Sequence, residues 1–333
     1  MKQHYVSILS GLASLVMAAA AYGAPQFGMP IQCEYGKECF IQKYVDLNPS
    51  KNMYMDYMCG TLSSEGHNGT DFRLRDFTDL QKNVPVVAAE AGVVKAMRDG
   101  MEDVTVTSID VNSLNGMYCG NAVLITHKDG YETQYCHMKK GSINVQKDTK
   151  VEKGDIIGYV GLSGDTEYPH LHFSLRHKEN DVDPFVGDYV PFAGCDKARY
   201  PLWDKATLQK LTYIPTGLLN AWYFSEVPKA YEARNGVYQS INKMNTDTTL
   251  LVFATDLFGA QKGDVLHMEI RNPKKAVIIE DTHTFDSPKA QFFHFIGKYR
   301  KAEPWLFGKY VGSVKLTRNG KTIFESDKNL MVE

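Results

Sequence analysis

Residues 163–177 read SGDTEYPHLHFSLRH and place two histidines, His170 and His172, one residue apart just after a proline. Pro169 fixes its own backbone angle and favours an extended conformation at Tyr168, and polar and apolar residues alternate from His170 onward. This alternation predicts a β-strand whose two imidazoles share one face while the apolar side chains point into a core. The two histidines therefore form either part of a metal site or a polar face turned to water.

Short strand-like runs separated by turns extend from this stretch in both directions. Between Val84 and Asp183 the sequence has no long amphipathic helix, and the runs are VPVVAAEAGVVKAM, NAVLITH, YETQYCHM, DIIGYVG and HLHFSLR. A second series follows in the last third of the chain, and RNGK at residues 318–321 predicts a tight hairpin between its last two runs. We therefore predict an all-β protein, an antiparallel-sheet domain followed by about seven strands in an immunoglobulin-like β-sandwich.

The N-terminus predicts export. Residues 1–24 carry one lysine, an apolar run and then small residues, which is the pattern of a cleaved signal peptide. No later stretch approaches about 18 consecutive apolar residues, so the mature chain is expected to lack a membrane span. We expect a periplasmic protein rather than an extracellular one, because disulfides, a plain signal peptide and the lack of an anchoring motif fit that compartment.

Composition and pattern divide the rest of the chain into three parts. Residues 25–60 hold three cysteines in a stretch with little periodicity, which predicts a disulfide-tied extension. The first β series predicts a domain over residues 61–195, and the second predicts the β-sandwich over residues 208–333. An extension placed before the first domain could cover a groove and restrain activity, although simple packing is the favoured explanation.

Six cysteines follow the signal peptide, and an even number in an exported chain indicates up to three disulfides. The runs NAVLITH and YETQYCHM are joined at Lys128–Gly130, and folding them into a hairpin brings Cys136 close to residues 119–122. A bridge between Cys119 and Cys136 is the expected pairing. Zinc binding by a cysteine cluster is disfavoured because the sequence has no CxxC.

The two halves of the mature chain differ in charge. Residues 25–195 carry 16 basic and 24 acidic residues, a net charge of −8, whereas residues 196–333 carry 20 basic and 15 acidic residues, a net charge of +5. The basic residues of the second half are scattered, so ordinary solvated surface explains them better than a binding face. Scattered charge and export together exclude nucleic acid as an expected partner.

Another histidine, His67, lies four residues before Asp71 in EGHNGTDFRLRDF, with a glycine on each side. Glycines let a loop bring an imidazole and a carboxylate to one point, which favours this pair as metal ligands. His177 and Asp181 have the same spacing but lie in a charged turn, where a surface role is favoured. The histidines of the last third lie in separate strand-like runs, and a core or surface role is favoured for each.

Taken together, three motifs resemble one known family. HNGTDF, YCHM and PHLHF, in this order and about 70 and 33 residues apart, are similar to the signatures of the M23 zinc metallopeptidases, the LytM or lysostaphin-type peptidoglycan endopeptidases. The resemblance covers residues 67–187 and includes KVEKGDIIGYVG and DPFVG. It implies a secreted zinc endopeptidase that hydrolyses peptide stems or cross-links of peptidoglycan.

The resemblance also implies the site residues. The zinc ligands would be His67, Asp71 and His172, and the catalytic residues beside a zinc-activated water would be His137 and His170. Zinc held by two neutral imidazoles and one carboxylate keeps a position open for water, whose pKa it lowers from about 15.7 towards 7. A neighbouring imidazole can then take the proton or stabilise the developing oxyanion.

Departures from the family pattern concern specificity more than metal binding. Glu167 and Tyr168 stand where many members have smaller residues, and Cys136 stands where alanine is common. A second function stays open, a non-catalytic wall-binding or amidase-activating LytM-like module, because some relatives have lost ligands and kept the fold. A third is an adhesion or assembly protein in which the basic sandwich is the working part. The presence of every ligand and catalytic histidine favours the enzyme.

Overall fold

Strands dominate the computed structural model, which describes residues 25–187, 194, 199–238 and 240–333. Within these residues the α-helices are short, α1 (Lys205–Lys210) and α2 (Ala230–Arg234). Short 3-10 helices occur at Phe77–Lys82, Val106–Ser108, Val111–Leu114 and Lys128–Gly130. The all-β fold class predicted from the sequence is confirmed. The predicted signal peptide and Cys195 lie outside the described residues.

The first ten strands form an antiparallel sheet with a small accessory pair. They are β1 (Cys39–Lys43), β2 (Thr70–Leu74), β3 (Pro85–Val87), β4 (Gly92–Arg98), β5 (Asn121–Thr126), β6 (Tyr131–Met138), β7 (Lys150–Val151), β8 (Ile156–Tyr159), β9 (His170–His177) and β10 (Asn180–Val182). Seven follow the order β1-β2-β9-β6-β5-β4-β7, β10 pairs with β9, and β3 pairs with β8. The strand that carries the His-x-His pair therefore lies inside the sheet, between β2 and β6.

Alternation along β9 separates a core face from a polar face. Leu171, Phe173 and Leu175 are at most 1% exposed and belong to the core beneath the sheet. Burying each of these side chains contributes roughly 1.5–3 kcal/mol to folding. Trp203, from the segment after the sheet, stacks on Phe173 and is itself fully buried. The opposite face of β9 is left to its polar residues, as the period of two predicts.

Eight further strands build two sheets in the last third of the chain. They are β11 (Gly217–Phe224), β12 (Lys243–Met244), β13 (Leu250–Ala260), β14 (Val265–Arg271), β15 (Val277–Thr284), β16 (Lys289–Tyr299), β17 (Gly308–Arg318) and β18 (Lys321–Val332). One sheet has the order β11-β13-β16 and the other β12-β18-β17-β14-β15. Both contribute to a common apolar core, which makes this part a β-sandwich. Its immunoglobulin-like character remains a prediction.

The sandwich packs directly on the first sheet. Phe40 of β1 contacts Phe258 of β13 with ring centroids 5.3 Å apart, and Leu219 of β11 completes this buried cluster. Arg73 on β2 is 1% exposed and donates to Gln291 of β16 at 3.3 Å. These contacts bury one edge of the first sheet under the C-terminal part.

Disulfides tie the first half of the chain. Cys119 is bonded to Cys136, which confirms the pairing predicted from the hairpin, and Cys33 is bonded to Cys39. Cys59 is also disulfide-bonded. Across the part of the chain that is described, no helix has the length and apolar character needed to cross a membrane.

Candidate metal centre

Strand pairing brings the first two predicted ligands together. Asp71 on β2 is the register partner of His172 on β9, although 100 residues separate them in the sequence. Side chains directly opposite each other on neighbouring strands are in contact, and His172 Nδ1 lies 2.8 Å from Asp71 Oδ1. The Asp71 carboxylate is 4% exposed. The sheet therefore fixes a buried carboxylate against an imidazole.

His67 reaches the same carboxylate from the loop that precedes β2. Its Nε2 lies 3.1 Å from Asp71 Oδ1, and its Nδ1 donates to the carbonyl oxygen of Tyr44 at 2.8 Å. Gly69 lies between this loop and β9, where an added Cβ would stand 2.6 Å from His172 Nε2. A side chain at this position would push the loop away from the histidine, so only glycine allows the close approach.

The donor atoms suit a metal ion in number, type and protonation. A carbonyl oxygen only accepts, so Nδ1 of His67 carries its proton and Nε2 presents a lone pair. His172 Nε2 lies 2.9 Å from Ser174 Oγ, which leaves Nδ1 to face Asp71. The ligand atoms of His67, Asp71 and His172 all lie within 4.8 Å of one another. Two donors of a tetrahedral zinc ion lie roughly 3.3 Å apart, close to the spacing found here.

Two further histidines stand beside these ligands. His170 Nδ1 donates to the Tyr168 carbonyl at 2.9 Å and lies 3.0 Å from Thr166 Oγ1, while its Nε2 lies 3.5 Å from Asp71 Oδ1. His137 Nδ1 donates to the Ser163 carbonyl at 2.8 Å. The ring centroids of His137 and His170 are 4.6 Å apart. In the neutral form, each ring therefore keeps Nε2 free of its proton.

Burial and neighbouring charges set the protonation of this cluster. Burial alone would raise the pKa of Asp71, but the imidazoles of His67 and His170 outweigh it and lower this pKa well below its ordinary value. Burial lowers the pKa of His137 well below its ordinary value, and His170 and His172 lower it further. Asp71 is therefore ionised and His137 neutral at pH 7, as a ligand and a base require.

The cluster lies on the floor of an open groove of about 510 Å³. Tyr168 forms part of one wall, with its ring 4.8 Å from the His170 ring and the Arg73 guanidinium 4.4 Å from its centroid. The groove is lined by Lys43, His67, Asn68, Asp71, Val106, Tyr118, Cys119, Gln134, Cys136, His137, Asp165, Thr166, Glu167, Tyr168, His170, His172, Ser174 and Arg176.

All five site residues predicted from the sequence are thus found in one cluster, whereas the alternative pair is not. His177 lies at the far end of β9, stacked on Tyr131 with its Nε2 3.1 Å from the Asp129 carbonyl oxygen. Sequence reasoning missed the carbonyls that orient the imidazoles, those of Tyr44, Ser163 and Tyr168. A main-chain acceptor leaves no signature in a sequence, so no signal was available for them.

The described residues contain one more group with metal-ligand atoms close together, in the sandwich. His267, Glu269 and Glu280 lie on neighbouring strands. The Glu269 carboxylate is already held by two hydrogen bonds from Arg271, at 2.6 and 3.0 Å. This carboxylate is occupied, and the group carries no functional conclusion.

Comparison with known proteins identifies the segment that holds the cluster. The model of "Peptidase family M23" matches residues 65–184. Over 142 residues the chain is 34% identical to the DD-carboxypeptidase/endopeptidase Mpg of Neisseria meningitidis. This alignment covers 41% of this chain and 30% of Mpg. Over 127 residues the chain is 37% identical to the peptidoglycan DD-endopeptidase ShyA of Vibrio cholerae. This second alignment covers 38% of this chain and 24% of ShyA.

Among solved structures, the catalytic domain of the prophage-encoded M23 protein EnpA from Enterococcus faecalis is similar at 25% identity and a TM-score of 0.29. That match covers 48% of this chain and 94% of the EnpA chain. The chain spans less than a third of the length of the two curated relatives. The family match covers the segment that carries the His and Asp cluster. Residues 65–184 of this chain are therefore similar to peptidase family M23.

Proposed function

We propose that this protein is an exported zinc endopeptidase that cleaves peptide bonds in the stems or cross-links of peptidoglycan. The observation that carries the proposal is the convergence of the ligand atoms of His67, Asp71 and His172 within 4.8 Å at the floor of an open groove. When bound, zinc would polarise the scissile carbonyl and make water a stronger nucleophile. The similar proteins are a DD-carboxypeptidase/endopeptidase and a peptidoglycan DD-endopeptidase, which supports peptidoglycan as the substrate class.

The remaining chemistry is assigned to the chain's own residues. His137 is buried and neutral, and its Nδ1–H is held by the Ser163 carbonyl, so Nε2 is available to accept a proton from the attacking water. His170 is oriented in the same manner and lies closer to Asp71. In the protonated form it would donate to the oxygen that becomes negative in the transition state. The groove holds the peptide across these residues in an extended conformation.

A non-catalytic wall-binding or amidase-activating module is the weaker alternative. Such a module has no need for a complete ligand set, and here all three ligands are present and each imidazole ligand is oriented by a further contact. Two ordered imidazoles beside the ligands are equally unnecessary for binding alone. The alternative predicts intact binding to peptidoglycan without any release of fragments.

The proposed location and organisation follow the sequence. We propose that residues 1–24 direct export to the periplasm and are removed, which suits a protein with disulfides in its mature part. Residues 61–195 would be the peptidase unit, residues 25–60 an extension of it, and residues 208–333 a sandwich whose role is separate from the chemistry.

Digestion of purified sacculi tests the proposal. The zinc-loaded protein should release muropeptides that mass spectrometry identifies as products of peptide-bond cleavage, and a chelator should stop the release. Restoring zinc should restore it. Sacculi that bind the protein but release no fragments would support the non-catalytic alternative and contradict the proposal.

Matched histidine variants separate metal binding from catalysis. His172→Ala removes a ligand and should lower bound zinc well below one ion per chain. His170→Ala keeps all three ligands and should retain zinc, while kcat/KM falls by about a hundredfold because proton transfer or oxyanion stabilisation is lost. Zinc is measured by elemental analysis and turnover on a soluble muropeptide. Full activity of His170→Ala would contradict the assigned role.

A further inference from the structure

The segment just before the family-matched residues is built into the site. β1 pairs with β2 along the catalytic sheet, and Lys43 at the end of β1 is the register partner of Asp71. The family match begins only at residue 65. Lys43 therefore contributes a side chain to the groove from outside the matched segment.

This segment also holds the loop that carries His67. The Tyr44 carbonyl accepts from His67 Nδ1 at 2.8 Å. The backbone N–H of Asp46 donates to the His67 carbonyl at 2.7 Å, and the Asp46 carboxylate accepts from the Gly66 N–H at 2.9 Å. The end of β1 is thus fixed relative to the metal ligands, and a side chain on it has a defined position in the groove.

Lys43 is a cation without an acidic partner in this groove. Its side chain is half-buried and lines the groove beside His67 and Asp71. No carboxylate among the described residues forms an ion pair with its amine. The other cation of the lining, Arg176, lies 3.4 Å from Asp181 and also donates to Gln134. Asp165 and Glu167, the exposed acids of the lining, belong to the loop before β9.

We propose that Lys43 binds a carboxylate of the substrate peptide and thereby sets specificity. A half-buried amine gains most from a charged acceptor that replaces its lost water. The side chain starts one strand away from Asp71, and neighbouring strands lie about 4.8 Å apart, while an extended peptide advances about 3.3 Å per residue. The bound carboxylate therefore lies within about two residues of the scissile bond. This inference rests on the proposed peptidase function.

The test uses one muropeptide that the wild-type protein cleaves, prepared with the carboxylate nearest the cleaved bond as the free acid and as the amide. Wild-type protein should prefer the acid form. Lys43→Met should lower kcat/KM for the acid form about tenfold, mainly through KM, and leave the amide form nearly unchanged, because one hydrogen bond to a charged group is lost. Lys43→Arg should keep the preference.

Controls separate specificity from damage to the site. Lys147→Met, which removes an exposed lysine from the connection between β6 and β7, should behave as wild type, and each variant should bind one zinc ion. An equal loss of both substrates in Lys43→Met, or a loss of neither, would overturn the proposal. If wild type cleaves neither peptide, the peptidase function fails instead. Calorimetry then still tests Lys43, by measuring the binding of both peptides to His170→Ala and to the double variant His170→Ala/Lys43→Met. An acid preference that is equal in these two proteins would refute the proposed role of Lys43.

Discussion

Asp183 is a buried carboxylate outside the metal centre. Asp183 is 4% exposed, and its Oδ1 accepts a hydrogen bond from the Phe185 N–H at 2.7 Å. Its Oδ2 has no hydrogen-bond partner among the described residues. Burial raises the pKa of Asp183 from 3.8 to about 7, and the hydrogen bonds from the backbone N–H groups of Phe185 and Val186 offset only part of this increase. Between about pH 3.8 and about pH 7, Asp183 is therefore protonated in the folded protein and ionised in the unfolded chain.

This proton makes stability depend on pH in a defined direction. The contribution of Asp183 is fully present below about pH 3.8 and is lost as pH rises towards about 7, because ionisation then leaves a buried charge in the folded state. Asp183→Asn should show a smaller decrease in unfolding free energy between pH 4.5 and pH 7.5 than wild type. Urea denaturation at both pH values measures this difference. Equal decreases in the two proteins would contradict it.

At the level of single residues, the sequence predicted which side chains form the site but not the main-chain groups that orient them. The resemblance of three motifs to the M23 signatures predicted His67, Asp71, His137, His170 and His172, and the structure brings these residues together. The Tyr44 carbonyl could not be predicted, since any residue can supply a carbonyl oxygen. The role of Lys43 was equally hidden, because it depends on the pairing of β1 with β2.

The β5–β6 hairpin shows how an element supports the site. The Cys119–Cys136 disulfide joins the end of β6 to the loop that forms one wall of the groove. The next residue, His137, has a positive φ of 59° and donates its N–H to the Cys119 carbonyl at 2.8 Å. An unfavourable backbone conformation at a non-glycine residue persists only when its surroundings hold it. The disulfide and this hydrogen bond do so here.

Removing the bridge should therefore affect stability and activity together. The double variant Cys119→Ser/Cys136→Ser should unfold with a free energy about 3 kcal/mol lower, as expected for opening a loop of this length. Turnover should fall because His137 loses part of its support, while zinc content is retained because the ligands lie on other residues. Urea denaturation, elemental analysis and muropeptide turnover measure the three quantities. Unchanged turnover would show that the bridge has no part in placing His137.

The hairpin could be predicted because its strands are close in sequence and its turn has a recognisable composition. The prediction of β5, β6 and the bridge between them is confirmed. β1 was not predicted as a strand, since four of its five residues are buried and it lacks the alternation of a half-exposed strand. Its buried Phe40 faces the sandwich, and such a contact between distant segments has no local pattern.

The sandwich contacts the first sheet through both apolar and polar side chains. Phe258 is fully buried against Phe40, and Asn220 donates to Asp76 at 2.8 Å across the same boundary. Gln291 reaches Arg73, which lies under the Tyr168 wall of the groove. The C-terminal part therefore supports the groove wall from behind.

Phe258→Ala tests the energetic weight of this boundary. Truncation of a fully buried phenylalanine should lower the free energy of unfolding by about 3–5 kcal/mol. Phe307→Ala, at a position that is 75% exposed, is the matched control and should change it by at most about 0.5 kcal/mol. Chemical denaturation followed by tryptophan fluorescence measures both. Similar values for the two variants would mean that the boundary contributes little.

The long strand β18 has a consequence for behaviour at high concentration. It spans twelve residues, yet β12 pairs with it only at Met331 and Val332. Several exposed positions along the rest of the strand are charged, among them Lys321, Glu325 and Asp327. A second molecule that added a strand here would have to strip these charges of water, so the edge resists self-association.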